Sequence, residues 1–500
     1  MGIIARQTIK GSFYSALGAL IGFVNIALIM PQIFSTAEIG LTNLLISISA
    51  IFGQVGTLGF MNVTVKLFPF FRDTKNKNNG FLFLLLSIGT LGFLICAIAY
   101  YISKPYLISS NIQNSPLFAE YVYLLIPLIF ISIFYLLIDS YNRILFNASF
   151  GIFVKEFLLR ILNLLGIILF YFNVFDFNAF IIYYTLAYGV PVLLISLLLL
   201  YKNHISLKPS FAFLKKKFVR EIVSVAGFGI ISGFSGIAVY QIDRYLVNYY
   251  CDLSATGVYS TAFFFGTIIL LPARSLIRIS SSVIAEDIKA NRWDKIKHIY
   301  KQSTHNLLLL SIFIFIIIWG NINNIMQFLP PVFETGRYVI LLISLAFVVQ
   351  SVSAITSVII QYSKYYKQHS YLMLILILLI VVLNVLLLPS YGIIGAAMAS
   401  FIAFIALGII QIIFVNIKFN AQPYNYRHLV MILTGGFAYF ISTLIPQLNF
   451  LIFDLILRSS VLSVLYIVPL LLAGYSPESM DILKKLLLLI NKDKKNDNRK

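Results

Sequence analysis

The stretch STAEIGLTNLL, Ser35 to Leu45, follows one long apolar run and opens another, and LSATGVYSTAF, Leu253 to Phe263, does the same later in the chain. Gly40 aligns with Gly257 at an offset of 217 residues, and the same offset carries Thr57 to Phe71 onto Arg274 to Ile288. In each copy the second of these segments is the basic end of an apolar run. A repeat of this length means duplicated halves rather than a short solenoid unit, and duplicated halves are a common plan for transport proteins.

The runs joined by the repeat are spans. The chain has 500 residues, 60% hydrophobic and 11% charged, whereas a soluble domain carries roughly a quarter of its residues charged. Apolar runs of about 20 residues recur along nearly its whole length, each long enough to cross about 30 Å of hydrocarbon as a helix. The pattern predicts an all-α integral membrane protein of about fourteen transmembrane helices, built as two pseudo-symmetric six-helix bundles plus two C-terminal helices. The expected divisions are 1–205 for the first lobe, 206–221 for an interlobe linker, 222–418 for the second lobe, 419–475 for the last two spans and 476–500 for a basic tail.

Charge supplies an independent test of the span order. The net charge of +19 would suggest nucleic acid in a soluble protein, but here 32 of the 37 basic residues fall in alternate connections. That is the positive-inside pattern, and it predicts that both termini are cytoplasmic. Met1 to Lys10 lacks a signal-peptide cleavage region and leads into a retained first span. The segments Lys202 to Arg220 and Ala285 to Thr304 read as helices on the inner surface. In the second, Trp293, Ile296 and Tyr300 form an apolar stripe suited to an interface. The tail from Asn491 is too polar and charged to fold alone.

Small residues and prolines mark the helices further. Gly18 with Gly22, Gly229 with Gly233, and Gly395 with Ala399 are spaced for close helix packing in lipid. Pro127 and Pro191 lie inside predicted spans four and six, where kinks or hinges are expected.

Catalytic chemistry is sparse. There is no GxxxxGK[ST] phosphate loop and no pair of Asp residues separated by one position. The five histidines lack metal-ligand spacing, and Cys96 and Cys251 read as structural. Neither metal nor cofactor is expected, and no enzymatic activity. The polar side chains near the spans are therefore the candidate site. Arg160, four residues after Glu156 and next to Lys155 in register, either reaches inner headgroups or meets a phosphate-bearing ligand in a cavity. Asp139 and Arg143 stand one turn apart, as a structural ion pair or as cavity wall. Gln241, Asp243 and Arg244 close span seven, with Asp243 and Arg244 either paired at the headgroups or lining the passage.

The segments KEFLLRIL (Lys155 to Leu162), YQIDRYLV (Tyr240 to Val247), ATGVYSTA (Ala255 to Ala262) and LLPSYGIIGAAMAS (Leu387 to Ser400) resemble the bacterial polysaccharide-biosynthesis flippases of the multidrug, oligosaccharidyl-lipid and polysaccharide (MOP) exporter superfamily. With the topology, the resemblance covers residues 5 to 475. It implies bundles around a central cavity open alternately to either side of the bacterial inner membrane. The cargo implied is an undecaprenyl-pyrophosphate-linked oligosaccharide such as an O-antigen unit. Arg160, Arg143, Lys66 and Arg274 are then the expected pyrophosphate contacts, with Asp139, Gln241, Asp243 and Arg244 as polar wall. Expected partners are membrane lipids, the polyprenyl-linked oligosaccharide, and a polysaccharide polymerase or glycosyltransferases, with no nucleic acid. The rivals are a multidrug or cation antiporter, a peptidoglycan-precursor flippase and a membrane polymerase. The last would need a larger outer loop than Ser103 to Glu120.

Overall fold

The computed structural model describes residues 3–73, 77–205 and 216–475. Of the linker expected at 206–221, residues 206–215 lie outside them, as does the tail from 476, and the linker's last six residues open the helix Lys216–Tyr250. Among the described residues there are helices and no strands. The principal ones are α1 (Ile3–Phe23), α2 (Thr36–Gly56), α3 (Phe60–Phe71), α4 (Phe81–Asn111), α5 (Leu125–Ile144), α6 (Leu159–Tyr171), α7 (Phe177–Ala187) and α8 (Val190–Tyr201). They are followed by α9 (Lys216–Tyr250), α10 (Leu253–Thr267), α11 (Leu270–Lys289), α12 (Trp293–Gly320), α13 (Arg337–Val352), α14 (Ala354–Tyr362), α15 (Tyr366–Phe419), α16 (Tyr426–Thr443) and α17 (Leu451–Leu472). Ten helical segments among the described residues are long and apolar enough to cross a membrane, or eleven if α10 and α11, bent by 53°, form one span.

Local sequence explains several ends. Ser35 starts α2 with a reciprocal cap: its Oγ accepts from the Glu38 amide at 3.3 Å, and Glu38 Oε2 accepts from the Ser35 amide at 2.8 Å. Asp176 caps α7 by accepting from the Ala179 amide at 2.7 Å. The 54-residue α15 is broken at Gly392, whose φ of 56° and ψ of −141° suit glycine and few other residues. The chain doubles back there, because a Cβ on Gly395 would overlap the Leu387 carbonyl. This corner lies within LLPSYGIIGAAMAS, Leu387 to Ser400, where a turn is expected.

Other expectations change. Pro127 sits in the first turn of α5 and Pro191 in the first turn of α8, where the missing N–H has no helical partner to lose. The break in span six is the Tyr188–Gly189 turn between α7 and α8. The surface helix expected at Ala285 to Thr304 is instead the end of α11 and the start of α12. Its stripe packs on protein rather than lipid: Ile296 and Tyr300 are buried, Tyr300 and Thr356 share a 2.9 Å hydrogen bond, and Trp293 stacks on Phe419 at 4.7 Å.

The chain forms two compact units, one of Met1–Phe265, Tyr338–Leu342 and Tyr366–Ala403, the other of Gly266–Arg337, Ile343–Tyr365 and Phe404–Lys500. In the first, α9 runs along α2 and α3, and α5 packs on α2, α4 and α8. Aromatic rings of Phe68, Phe71 and Phe81 surround Tyr141, whose hydroxyl accepts from Asn78 at 3.1 Å and donates to the His204 carbonyl at 3.3 Å. The expected glycine pairs are packing points here. Gly18 lies against the Glu156 carbonyl and Gly22 against the Arg160 side chain, while Gly229 meets Gly59 and Gly233 meets Gln54.

In the second unit α12, α16 and α17 enclose Leu308, Ile312, Ile316, Met431, Leu462 and Tyr466. Asp454 and Arg458, one turn apart on α17, are buried and pair at 2.5 Å. Asp454 also accepts from Asn324 (2.6 Å) and the Leu448 amide (3.1 Å), and Arg458 donates to the Ser442 and Ile445 carbonyls at 2.8 and 2.9 Å. Removing one partner of such a pair strands a buried charge and costs about 3–5 kcal/mol, whereas removing both costs less. Arg458→Ala should therefore lower the melting temperature in detergent more than Asp454→Ala with Arg458→Ala together. Equal losses would show that the pair is not a coupled unit.

Candidate functional site

Helix α9 carries VYQIDRYLVNYY, Val239 to Tyr250, and consecutive residues on a helix point about 100° apart. That rotation separates Asp243 from Arg244. Both are buried, 1% and 5% exposed, and no ion pair joins them among the described residues. Asp243 instead faces α10 and α15. Its Oδ2 accepts from the Tyr259 hydroxyl at 2.8 Å and the Ser400 hydroxyl at 2.6 Å, and its Oδ1 accepts from the Asn384 amide at 2.9 Å. Asn384 Oδ1 is buried with no hydrogen-bond partner in the structure. The carboxylate is met by two hydroxyls and one amide N–H, all donating to it, an environment that serves a buried carboxylate. No cluster of three or more His, Cys, Asp or Glu that could hold a metal occurs among the described residues.

Arg244 also meets α10, at Ser260 and Phe263, and caps back onto its own helix. It donates to Ser260 Oγ (3.2 Å), the Tyr240 carbonyl (3.0 Å) and Gln241 Oε1 (2.7 Å), and its guanidinium lies 4.8 Å from the Phe263 ring centroid. Gln241 Oε1 also accepts from Ser47 on α2 at 2.8 Å. All of Arg244's partners are neutral. Tyr188, in the turn between α7 and α8, lies within its electrostatic reach.

Lys155 also neighbours Tyr188. Its Nζ is 4.0 Å from the Tyr135 ring centroid and 6.0 Å from that of Tyr188, a cation held by aromatic faces. Lys155 has no carboxylate at ion-pair distance among the described residues. Glu156, Arg160, Asp139 and Arg143 complete its electrostatic neighbourhood.

Asp139 and Arg143 do pair, at 2.6 Å, with Asp139 buried and Arg143 largely exposed. Asp139 Oδ1 has no hydrogen-bond partner and presses on Gly151, where a Cβ would overlap it. Arg160 folds over Gly22 of α1, and its carbonyl accepts from Asn25 at 2.8 Å. The expected pairing with Glu156 does not form among the described residues. A π-helical turn over Phe153–Leu158 adds a residue and breaks the four-residue spacing. Lys66 is exposed on α3 and Arg274 is exposed on α11 in the second unit, neither bonded to any other candidate among the described residues.

Sequence reasoning missed Lys155 with its rings, and Tyr259, Asn384 and Ser400 around Asp243. Asn384 carried a usable signal, a lone amide in LILILLIVVLNVLLL, Leu374 to Leu388. The rings around Lys155 come from separate helices and leave no local pattern. If Asp243 is ionised, Tyr259→Phe should cost about 1.5–3 kcal/mol, the value of a hydrogen bond to a charged group. The same change in an Asp243→Asn background should cost about 1 kcal/mol. Thermal melts of the four variants at pH 7 measure the difference, and equal costs would mean a neutral carboxyl.

The MatE family model matches residues 230–386. No curated protein sequence matches the chain. Among solved structures, the lipid II flippase MurJ in an inward closed conformation superposes with a TM-score of 0.73 at 15% identity, over 95% of this chain and 100% of that one. An inward-facing multidrug resistance MATE transporter of the MOP superfamily gives 0.60 at 14%, over 82% and 94%. A mutant of the Vibrio cholerae MATE transporter VcmN gives 0.54 at 14%, over 81% and 95%. The chain has the fold of these membrane transporters.

Proposed function

We propose that this chain is a MOP-superfamily flippase that carries a polyprenyl-pyrophosphate-linked oligosaccharide, an O-antigen or surface-polysaccharide unit, across the bacterial inner membrane by alternating access. It is read as a transporter rather than an enzyme. The carrying observation is two cations, Arg244 held by neutral partners and Lys155 held by the rings of Tyr135 and Tyr188, with no carboxylate at ion-pair distance from either among the described residues. Cations withdrawn from water need a counter-charge. A substrate pyrophosphate would supply it, and a guanidinium fork with N–H groups to spare suits that group. Taking such a headgroup through hydrocarbon unaided is very costly.

Fourteen spans follow from the helices if α15, about 80 Å long, is counted twice at its Gly392 corner. The segment Ala148 to Tyr171 and α16 complete the number beyond the eleven. The six-and-six lobes and the cytoplasmic termini belong to this reading, supported by the repeat and the distribution of basic residues. Asp243 with Asn384, Ser400 and Tyr259 is the coupling-ion or proton site in this scheme. A peptidoglycan-precursor flippase is the second reading, favoured by the MurJ superposition over 95% of the chain. A carboxylate-driven drug antiporter fits less well, because the buried polar side chains Asn25, in the π-helical turn after α1, and Asn163, on α6, are amides.

The test is genetic. Expressed in cells lacking their surface-polysaccharide flippase, the chain should restore polymer. Arg244→Ala, Lys155→Met and the double variant Arg143→Ala with Arg160→Ala should each cut export at least 10-fold, with lipid-linked units collecting in the cytoplasmic leaflet. Unchanged export in the last would remove Arg143 and Arg160 from the site. Rescue of cells depleted of their peptidoglycan-precursor flippase instead would select the second reading, and gradient-dependent dye efflux alone would select the antiporter.

A further inference from the structure

Tyr135, Asp139 and Arg143 stand one turn apart on α5, so they share a face of that helix. Asp139 lies between two cations. Arg143 Nη2 meets its Oδ2 at 2.6 Å, while Lys155 Nζ sits over the Tyr135 ring, 4.0 Å from the centroid. Asp139 and Lys155 are within each other's electrostatic reach, yet they do not pair among the described residues.

The pair that forms leaves the carboxylate half served. The Arg143 side chain is 55% exposed against 4% for Asp139, and an ion pair with one partner in water is screened. Oδ1, the second carboxylate oxygen, is buried and has no hydrogen-bond partner among the described residues. It rests on Gly151, where a Cβ would overlap it. Gly151 lies four residues before Lys155, on the segment that runs from Ala148 into the π turn Phe153–Leu158. The unmatched oxygen therefore touches the segment that carries the unmatched cation, about one turn or 5.4 Å from it along the axis. The flexible four-carbon lysine stem is long enough to cover that distance. A carboxylate and a phosphate are alternative counter-charges for one ammonium, so Asp139 and an anionic headgroup compete for Lys155.

We propose that Asp139 is a counter-ion switch for Lys155, freeing the lysine for the substrate's phosphate while it pairs with Arg143 and reclaiming it when that pair opens. This rests on the lipid-pyrophosphate reading above, and it makes Asp139 and Arg143 positioning residues. The test needs no lipid. Acetic anhydride modifies neutral amines and spares ammonium ions, so the rate of Lys155 acetylation reports its pairing. It is read by peptide mass in the full-length chain in detergent, relative to exposed Lys364. Arg143→Ala should slow the reaction about 5-fold or more, because Asp139 then pairs with Lys155. Losing a neighbouring positive charge also favours the ammonium by itself, so the same change is made in an Asp139→Asn background, where the slowing should be about 2-fold or less. Arg143→Gln, which keeps more of the side chain, should act as Arg143→Ala does. Equal slowing in both backgrounds, or none in either, overturns the switch. Slowing that depends on Asp139, in a chain that retains undecaprenyl pyrophosphate no better than undecaprenol, would leave the switch standing and remove the substrate assignment.

Discussion

Hydrocarbon offers a polar group neither water nor a partner, and it gives helices no hydrophobic reason to associate. Contacts inside this chain are therefore of two kinds. Where helices must approach, side chains disappear, as at Gly18, Gly22, Gly40, Gly59, Gly229 and Gly257, which lie on a neighbouring backbone or on Arg160. Where charge must be buried, the protein builds its own solvent for it out of hydroxyls, amides, carbonyls and ring faces.

The buried charges divide by how completely they are served. Asp454 and Arg458 neutralise each other and fill their remaining capacity with Asn324, a backbone amide and backbone carbonyls. This network holds α17 to its neighbours and leaves Asn324 Oδ1 buried without a hydrogen-bond partner. Asp243 and Arg244, adjacent in sequence, are each given their own neutral hydrogen-bond partners, Tyr259, Asn384 and Ser400 for one and Ser260, Tyr240 and Gln241 for the other. Lys155 is given rings instead of an anion. A protein seeking stability alone would have let these charges meet; holding them apart leaves one carboxylate and two cations without an opposite charge at ion-pair distance among the described residues.

Much of the architecture was legible because it depends on patterns that survive without coordinates. Apolar run length marked the helices long enough to cross a membrane. What stayed hidden depends on azimuth. Asp243 and Arg244 read as a pair because they are neighbours, yet one residue of helical rotation sends them to different cages. Glu156 and Arg160 read as a salt-bridged turn until a π turn changed their phase. The stripe of Trp293, Ile296 and Tyr300 has one appearance whether it faces lipid or protein, and the choice was made by Thr356 and Phe419, which lie far along the chain. Lys155 was seen only as a neighbour of Arg160, because Tyr135 and Tyr188 reach it from other helices.

The claim that organises these observations is that Arg244 and Lys155 await an anionic headgroup. Native mass spectrometry of the purified chain with equal amounts of undecaprenyl pyrophosphate and undecaprenol tests it most directly. The account predicts retention of the pyrophosphate lipid over the neutral alcohol by at least 10-fold, and loss of that preference when Arg244 and Lys155 are both replaced by neutral residues. Equal retention of the two lipids by the unaltered chain, or a preference that survives both replacements, would contradict it.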